Sequence, residues 1–271
     1  MSRYRILSPT DPDPAFVGRC ALAVMAKAPV PGKVKTRLSP PLTPLEAADL
    51  NACFLRDTVA NLAAATQQCS ADWIISYTPT GAESAFDGIL PAGALLLPQR
   101  GDGFGERLLA TAQDLFACGF SAVCLIDSDS PTVPTREFSR SADELLRPGR
   151  RAVLGASADG GYYLIGLQTP EPILFDRITW STEKVAAETL ARAAEIDLPV
   201  TLLEEWYDVD DAASLDRLER ELDRELEREL DGELDAELAR ELDTDSQVKG
   251  YPAPYTRAYL AQRAAREASI V

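Results

Sequence analysis

From Ala21 to Leu38 the chain reads ALAVMAKAPVPGKVKTRL. The apolar run Ala21 to Ala26 is the length of a buried strand. Pro29, Pro31 and Gly32 then break it, because neither a strand nor a helix continues through them. Lys27, Lys33, Lys35 and Arg37 follow the strand closely. A strand that empties into a basic loop containing glycine has the outline of a phosphate cradle. Glycine lets the backbone approach closely, and ammonium and guanidinium groups neutralise phosphate charge. A solvated loop that is merely basic is the alternative, and this stretch alone leaves both readings open.

The chain has no histidine. That removes the commonest general base, the Ser-His triads and the usual zinc ligand. Catalysis has to run on carboxylates, cations, hydroxyls, thiols or a hard metal ion. Cys20, Cys53, Cys69, Cys118 and Cys124 are scattered and form no CxxC pair. This argues against a disulfide framework or a structural zinc site and fits a cytoplasmic location. No apolar run approaches membrane-span length, and the polar, proline-rich start is not expected to be a signal peptide. Residues 1–18 are expected to be a flexible leader. The net charge of −16 is local: 204–245 carries 19 acidic and 5 basic residues, so the body is nearly neutral and need not repel an anion. No long basic face or aromatic-interleaved basic run is present, so a nucleic-acid partner is not expected.

Thr43-Pro44-Leu45-Glu46 is a helix start, with Thr43 as N-cap, Pro44 at the first position and Glu46 closing a capping box. That helix is expected to reach about Ala65. Strands are expected at Trp73 to Thr78 and Ala94 to Leu97. Gln99 to Leu109, QRGDGFGERLL, reads as a glycine-loosened loop with Glu106 opening a helix. It lacks the third glycine of the dinucleotide fingerprint, so a plain strand-to-helix connection is the more economical reading.

Ala122 to Ile126 is another buried strand, and it ends in Asp127-Ser128-Asp129-Ser130-Pro131. Carboxylates at the carboxyl end of a buried strand sit where open α/β sheets bind ligands. Asp127 and Asp129 can hold a hard cation, Mg²⁺ or Mn²⁺, which bridges phosphate oxygens; a helix cap is the alternative. Ala152 to Ala156 and Tyr162 to Leu167 flank Asp159-Gly160-Gly161, a hairpin signal that implies an antiparallel element. A helix from about Glu183 to Ala194 and a short strand at Thr201 to Leu203 follow. Asp208 and Asp210 then form a second alternating acidic pair.

Leucine recurs at 215, 218, 222, 226, 230, 234, 238 and 242, with Glu, Asp and Arg between. A four-residue spacing drifts by about 40° per repeat around a 3.6-residue helix. It cannot hold a straight coiled-coil seam. The expectation is a long, charged, solvated helix, with self-association through 215–242 as a possible role.

Taken together, MAKAPVPGKVKTRL, GDGFGERL, IDSDSP, ADGGYYLIGL, ITWST and DVDD resemble the DUF2064 family, also called CofC-like or arsenosugar-biosynthesis-type glycosyltransferases. The resemblance runs from about Ala21 to Leu218. It implies the GT-A nucleotide-diphospho-sugar transferase fold, with kinship to MobA-type nucleotidyltransferases: a Rossmann-like α/β three-layer sandwich with a mostly parallel sheet. The implied division is a transferase domain at 19–214, a Leu/Glu/Arg repeat insertion at 215–247 and a helical tail at 248–271.

The resemblance also implies roles. Lys27, Lys35 and Arg37 face nucleotide phosphates, with Gly32 turning the loop and Thr36 beside them. Gln99, Gly105 and Arg107 line the nucleotide or acceptor pocket. Asp159, Gly160 and Gly161 sit by the acceptor, with Trp180 and Thr182 near the far wall. Asp129 is the main metal ligand, with Asp127 beside it and either Asp210 or Asp208 as the second ligand. The chain departs from the family at Asp127, where glycine is usual, at Ser130, where cysteine is usual, and at Asp211, where threonine is usual.

Two reactions share such a fold, nucleotidylyl transfer from an NTP with release of pyrophosphate and glycosyl transfer from a nucleotide sugar. A triphosphate needs more cations than a diphosphate sugar, and phosphoryl chemistry needs little acid–base help. The basic loop and the missing histidine therefore favour nucleotidylyl transfer to a small phosphorylated acceptor. Lys35, Arg37 and Asp129 are the expected catalytic residues. A catalytically inactive nucleotide-binding scaffold is the third reading.

Overall fold

The computed structural model describes residues 3–235 and 249–269. Among the described residues, eight strands form one sheet: β1 (Arg5–Ile6), β2 (Cys20–Lys27), β3 (Ala71–Thr78), β4 (Leu95–Pro98), β5 (Ala122–Ile126), β6 (Ala152–Ala156), β7 (Tyr162–Leu167) and β8 (Val200–Leu202). Their order is β1-β4-β3-β2-β5-β7-β6-β8. β7 runs antiparallel to β5 and β6, and the other neighbouring pairs are parallel. The hairpin signal at Asp159-Gly160-Gly161 is thus the source of the antiparallel element.

Helices cover both faces: α1 (Pro44–Ala65), α2 (Phe104–Ala117), α3 (Thr135–Leu146), α4 (Val185–Glu195), α5 (Ala212–Asp235) and α6 (Pro254–Ala268). Side chains alternate across a strand. Leu22 and Val24 of β2 therefore join Leu55 and Leu62 of α1 and Phe138 of α3. Ala21 and Ala23 join Leu108 and Leu115 of α2 and Ala193 of α4 on the opposite face. This is the expected three-layer α/β sandwich of the GT-A type. A third core lies outside the layers, where Leu38, Leu50 and Phe54 meet Val209, Leu215 and Leu260.

The capping box of α1 is present: Thr43 Oγ1 accepts from Glu46 N, and Glu46 Oε2 accepts from Thr43 N. α2 opens two residues before Glu106, because that side chain is itself the cap. Its Oε2 accepts from the backbone N–H groups of Asp102 and Gly103.

Two expectations need correction. Residues 1–18 are not a flexible leader over their described part. β1 adds to the sheet edge, Tyr4, Leu7 and Phe16 are buried, and Phe16 stacks on Phe120 at 4.1 Å. The leucine helix is not solvated at its start, since Leu215, Leu218 and Leu222 are buried in the third core. The side chains of Leu226, Leu230, Leu234, Leu238 and Leu242, and with them most of the 215–242 stripe, lie outside the described residues. The expected helical tail is present and packs back on the body: α6 lies on α1, and Asp57 of α1 accepts from the N–H groups of Tyr255 and Thr256. Among the described residues, no helix is long and apolar enough to cross a membrane.

Candidate active site

The site forms at the carboxyl ends of the central strands, from three chain segments. The first is the loop leaving β2. Gly32 turns it with φ +73°, and Leu38, fully buried, pins its far end. Between them Lys35 takes φ +47°, a left-handed conformation that costs a non-glycine residue about 1–2 kcal/mol. The side-chain contacts that offset this cost are specific. Lys35 Nζ lies 2.7 Å from Asp129 Oδ1 and 3.0 Å from Asp210 Oδ1, donates to the Val209 carbonyl at 2.6 Å, and rests over the Phe54 ring.

The second segment is the end of β5. Asp127 N donates to the Tyr163 carbonyl, so the sheet hydrogen bonding carries into the acidic turn. The third is the chain between β8 and α5, where the fully buried Val209 donates to the Asp129 carbonyl at 2.9 Å. That bond fixes Asp208 and Asp210 beside the tip of β5. Strand-end carboxylates from two distant segments thus converge on one ammonium.

The charges are strongly coupled. Burial opposes the Lys35 charge, but Asp129 and Asp210 outweigh it and hold its pKa above the ordinary lysine value. Burial pushes the Asp127 carboxyl well above the usual carboxylate range, with Asp129 adding to the effect. Burial also raises Asp208, with Asp159 and Asp210 adding repulsion. Asp127 accepts from Ser130 Oγ at 2.6 Å, and Asp208 from Ser157 Oγ at 3.0 Å.

Two clefts meet here. One, of about 240 Å³, is lined by Lys27, Lys33, Lys35, Thr36, Arg37 and Asn51, with Asp129 and Asp210 at its edge. The other, of about 430 Å³, holds Asp127, Asp159, Glu183 and Asp208 against a wall of Phe104, Tyr162 and Trp180. Arg37, Asp129 and Asp210 line both. Phe104 and Trp180 meet edge to face at 5.3 Å. Gly161 and Thr182 also line the larger cleft.

Several expected site residues serve differently. Gln99 and Arg107 are missing from the described lining of both clefts. Gln99 Nε2 donates to the Ser76 carbonyl and Arg107 Nη1 to the Asp102 carbonyl, so local backbone satisfies both. Gly105 stands behind Trp180, and a Cβ there would come within 2.5 Å of the indole. Gly160, at φ +88°, lets the hairpin turn pass the Glu183 carbonyl, which a Cβ would approach to 2.1 Å. Gly32 shapes its loop without lining a cleft. Asp127, Asp129 and Asp210 do not assemble as a three-carboxylate cluster, and among the described residues no such group is found. Asp127 turns to Ser130, while Lys35 gathers the other two.

Asn51, Phe104, Ser157, Tyr162 and Glu183 were absent from the residues expected in the site, and Asp208 stood there as the alternative to Asp210. Asp208 carried a visible signal in its alternation with Asp210. Asn51 carried none, since a polar residue inside an amphipathic helix ordinarily faces water.

Residues 60–182 match the family profile described as "Uncharacterized protein conserved in bacteria (DUF2064)". The resemblance read from the motifs is borne out over that span. No curated protein matches the chain. Among solved structures, one from Desulfovibrio desulfuricans G20, described as a "putative nucleotide-diphospho-sugar transferase", is 29% identical with a TM-score of 0.71. That match covers 92% of this chain and 96% of the other. A CMP:2-keto-3-deoxy-manno-octonic acid synthetase complexed with CTP is 12% identical with a TM-score of 0.50. It covers 76% of this chain and 99% of the other, and this likeness concerns the fold.

Proposed function

We propose that this chain is a nucleotide-dependent transferase that moves a nucleotidylyl group from an NTP to a small phosphorylated acceptor and releases pyrophosphate. The observation that carries the reading is the meeting of two chemically opposite clefts at Arg37, Asp129 and Asp210. The cation-lined cleft suits the outer phosphates. The larger cleft suits the acceptor: its acidic and aromatic wall takes hydroxyls and an apolar face, while the acceptor phosphate lies toward Arg37. In that arrangement an acceptor oxygen attacks the α-phosphorus at the boundary. The bond to the bridging oxygen breaks, and pyrophosphate departs into the cation cleft. Lys27, Lys33 and Arg37 stabilise the charge that develops there, while Lys35 holds Asp129 and Asp210 at the boundary.

The donor set fits a divalent cation. Asp129 and Asp210 already converge on one positive centre, the Lys35 ammonium, from opposite segments. Mg²⁺ is commonly bound through one or two carboxylates plus substrate phosphates. Asp129 and Asp210 would hold such an ion, Mg²⁺ or Mn²⁺, which supplies charge neutralisation at the phosphates. The likeness to the Desulfovibrio structure described as a "putative nucleotide-diphospho-sugar transferase" supports a nucleotide ligand.

Glycosyl transfer is the second reading, favoured by the carboxylates of Asp159, Glu183 and Asp208 beside Trp180, which suit sugar hydroxyls and a sugar ring face. Purified protein given each NTP, magnesium or manganese and a panel of sugar phosphates and phospho-acids separates the two. Pyrophosphate release is the expected result. Consumption of nucleotide sugars without pyrophosphate would replace the first reading with the second. Turnover of neither, with nucleotide still bound, would leave a scaffold.

A further inference from the structure

α1 carries two buried asparagines that behave differently. Asn61 is paired at both ends: Nδ2 donates to the Val133 carbonyl at 2.7 Å, and Oδ1 accepts from Thr135 Oγ1 at 2.6 Å. Asn51 is 4% exposed, yet its Oδ1 has no hydrogen-bond partner. Among the described residues it is the orphaned buried side-chain atom that belongs to the cation-lined cleft. Buried polar groups are nearly always paired, so one left open beside a cavity calls for a ligand.

Its surroundings say what kind. Phe54, three residues on and therefore on the same helix face, underlies Lys35. Lys35 is committed to Asp129 and Asp210, and Arg37 lies 3.8 Å from Asp210. Lys27 and Lys33 take part in no ion pair among the described residues and line the same cleft as Asn51. The cleft is therefore lined by several cations, Lys27, Lys33 and Arg37 besides Lys35, rather than by one. A primary amide supplies two donors and an acceptor, and a half-turn exchanges its ends. It can donate to a phosphate oxygen while its oxygen takes a lysine ammonium.

We infer that Asn51 is a specificity residue that reads the outer phosphate of a polyphosphate in the cation-lined cleft, and so selects a triphosphate donor over a diphosphate one. The inference rests on the phosphate reading of that cleft and adds a contact outside the basic loop.

The test uses the full chain, with inorganic pyrophosphate and orthophosphate as probes, by titration calorimetry with and without magnesium. Asn51→Ala is expected to weaken pyrophosphate binding about tenfold and to change orthophosphate binding little. Its ligand-free melting temperature should equal or exceed that of the parent, because an unpaired buried acceptor has been removed. Asn51→Asp keeps the shape and adds a negative charge, so it should weaken pyrophosphate further and secures the test if the alanine variant fails to fold. Unchanged pyrophosphate affinity in both variants overturns the inference. So does an equal loss for both anions accompanied by a lower melting temperature, which marks a packing role. If the parent chain binds NTPs and the variants bind them equally well, only the role of Asn51 falls. If the parent binds neither pyrophosphate nor any NTP, the proposed function falls with it.

Discussion

Lys35 and Asp210 are 175 positions apart in sequence and meet at 3.0 Å, with Asp129 at 2.7 Å from the same ammonium. The Lys35 side chain is only 3% exposed, whereas Asp129 and Asp210 are 33% and 42% exposed. The cation is the buried partner, and the carboxylates look out into the clefts. One lysine therefore ties the β2 loop to the tip of β5 and to the chain entering α5.

Lys35→Met keeps most of the volume and leaves two neighbouring carboxylates without their counter-ion. Breaking a buried pair costs about 3–5 kcal/mol. Because both carboxylates reach solvent, about 1–3 kcal/mol is expected here. Urea unfolding measures it, and a midpoint unchanged from the parent would contradict the assignment. Nucleotide-induced stabilisation should vanish in the same variant.

Gly160→Ala places a methyl group where the Glu183 carbonyl stands and requires a left-handed alanine. The expected loss is about 1–3 kcal/mol from the forced backbone shift. Thermal unfolding reads it. The displaced turn also moves Asp159 and Gly161, so acceptor KM should rise more than nucleotide Kd.

Asp57 holds the start of α6 through two backbone N–H groups, and burial raises its pKa above the ordinary aspartate value. The native state therefore keeps this proton to higher pH than the unfolded chain does. The contribution of Asp57 is fully present below the unfolded value, near 3.9, and declines as pH rises through the raised native value. Asp57→Asn should cost about 1–3 kcal/mol for the poorly matched N–H groups. That cost should shrink as pH rises across the window. Denaturant unfolding of both proteins along a pH series checks the slope.

Glu46 has the opposite sign. Hydrogen bonds from the Thr43 backbone and hydroxyl hold its carboxyl below the usual glutamate value. Its contribution is present above the unfolded value, near 4.3, and is lost as pH falls through the depressed native one. Thr43→Ala should cost about 1 kcal/mol at neutral pH. The difference from the parent should narrow in acid as Glu46 protonates. Equal differences at both ends of the series would show that the capping box is not the source.

Much of this was legible in advance because it is local. The capping box, the β5 run, the Asp-Gly-Gly hairpin and the basic loop each depend on neighbours within a few residues. The misreadings share one cause. A polar, proline-rich start looks like a leader until Phe16 finds Phe120, and α5 looks solvated until Leu215, Leu218 and Leu222 find the third core. Gln99 and Arg107 have the right chemistry for a site but spend it on nearby carbonyls.

The order of residues alone determined which segments become strands and helices, because hydrophobic periodicity, caps and turn residues act over short range. It also determined which groups were available for chemistry, since a chain without histidine is left with carboxylates and cations. Only the tertiary structure decided which of those groups share one cleft. Val209 bonding to Asp129, Lys35 reaching two segments at once and Asn51 sharing a cleft with the lysines all join distant parts of the chain, selected by packing of the whole.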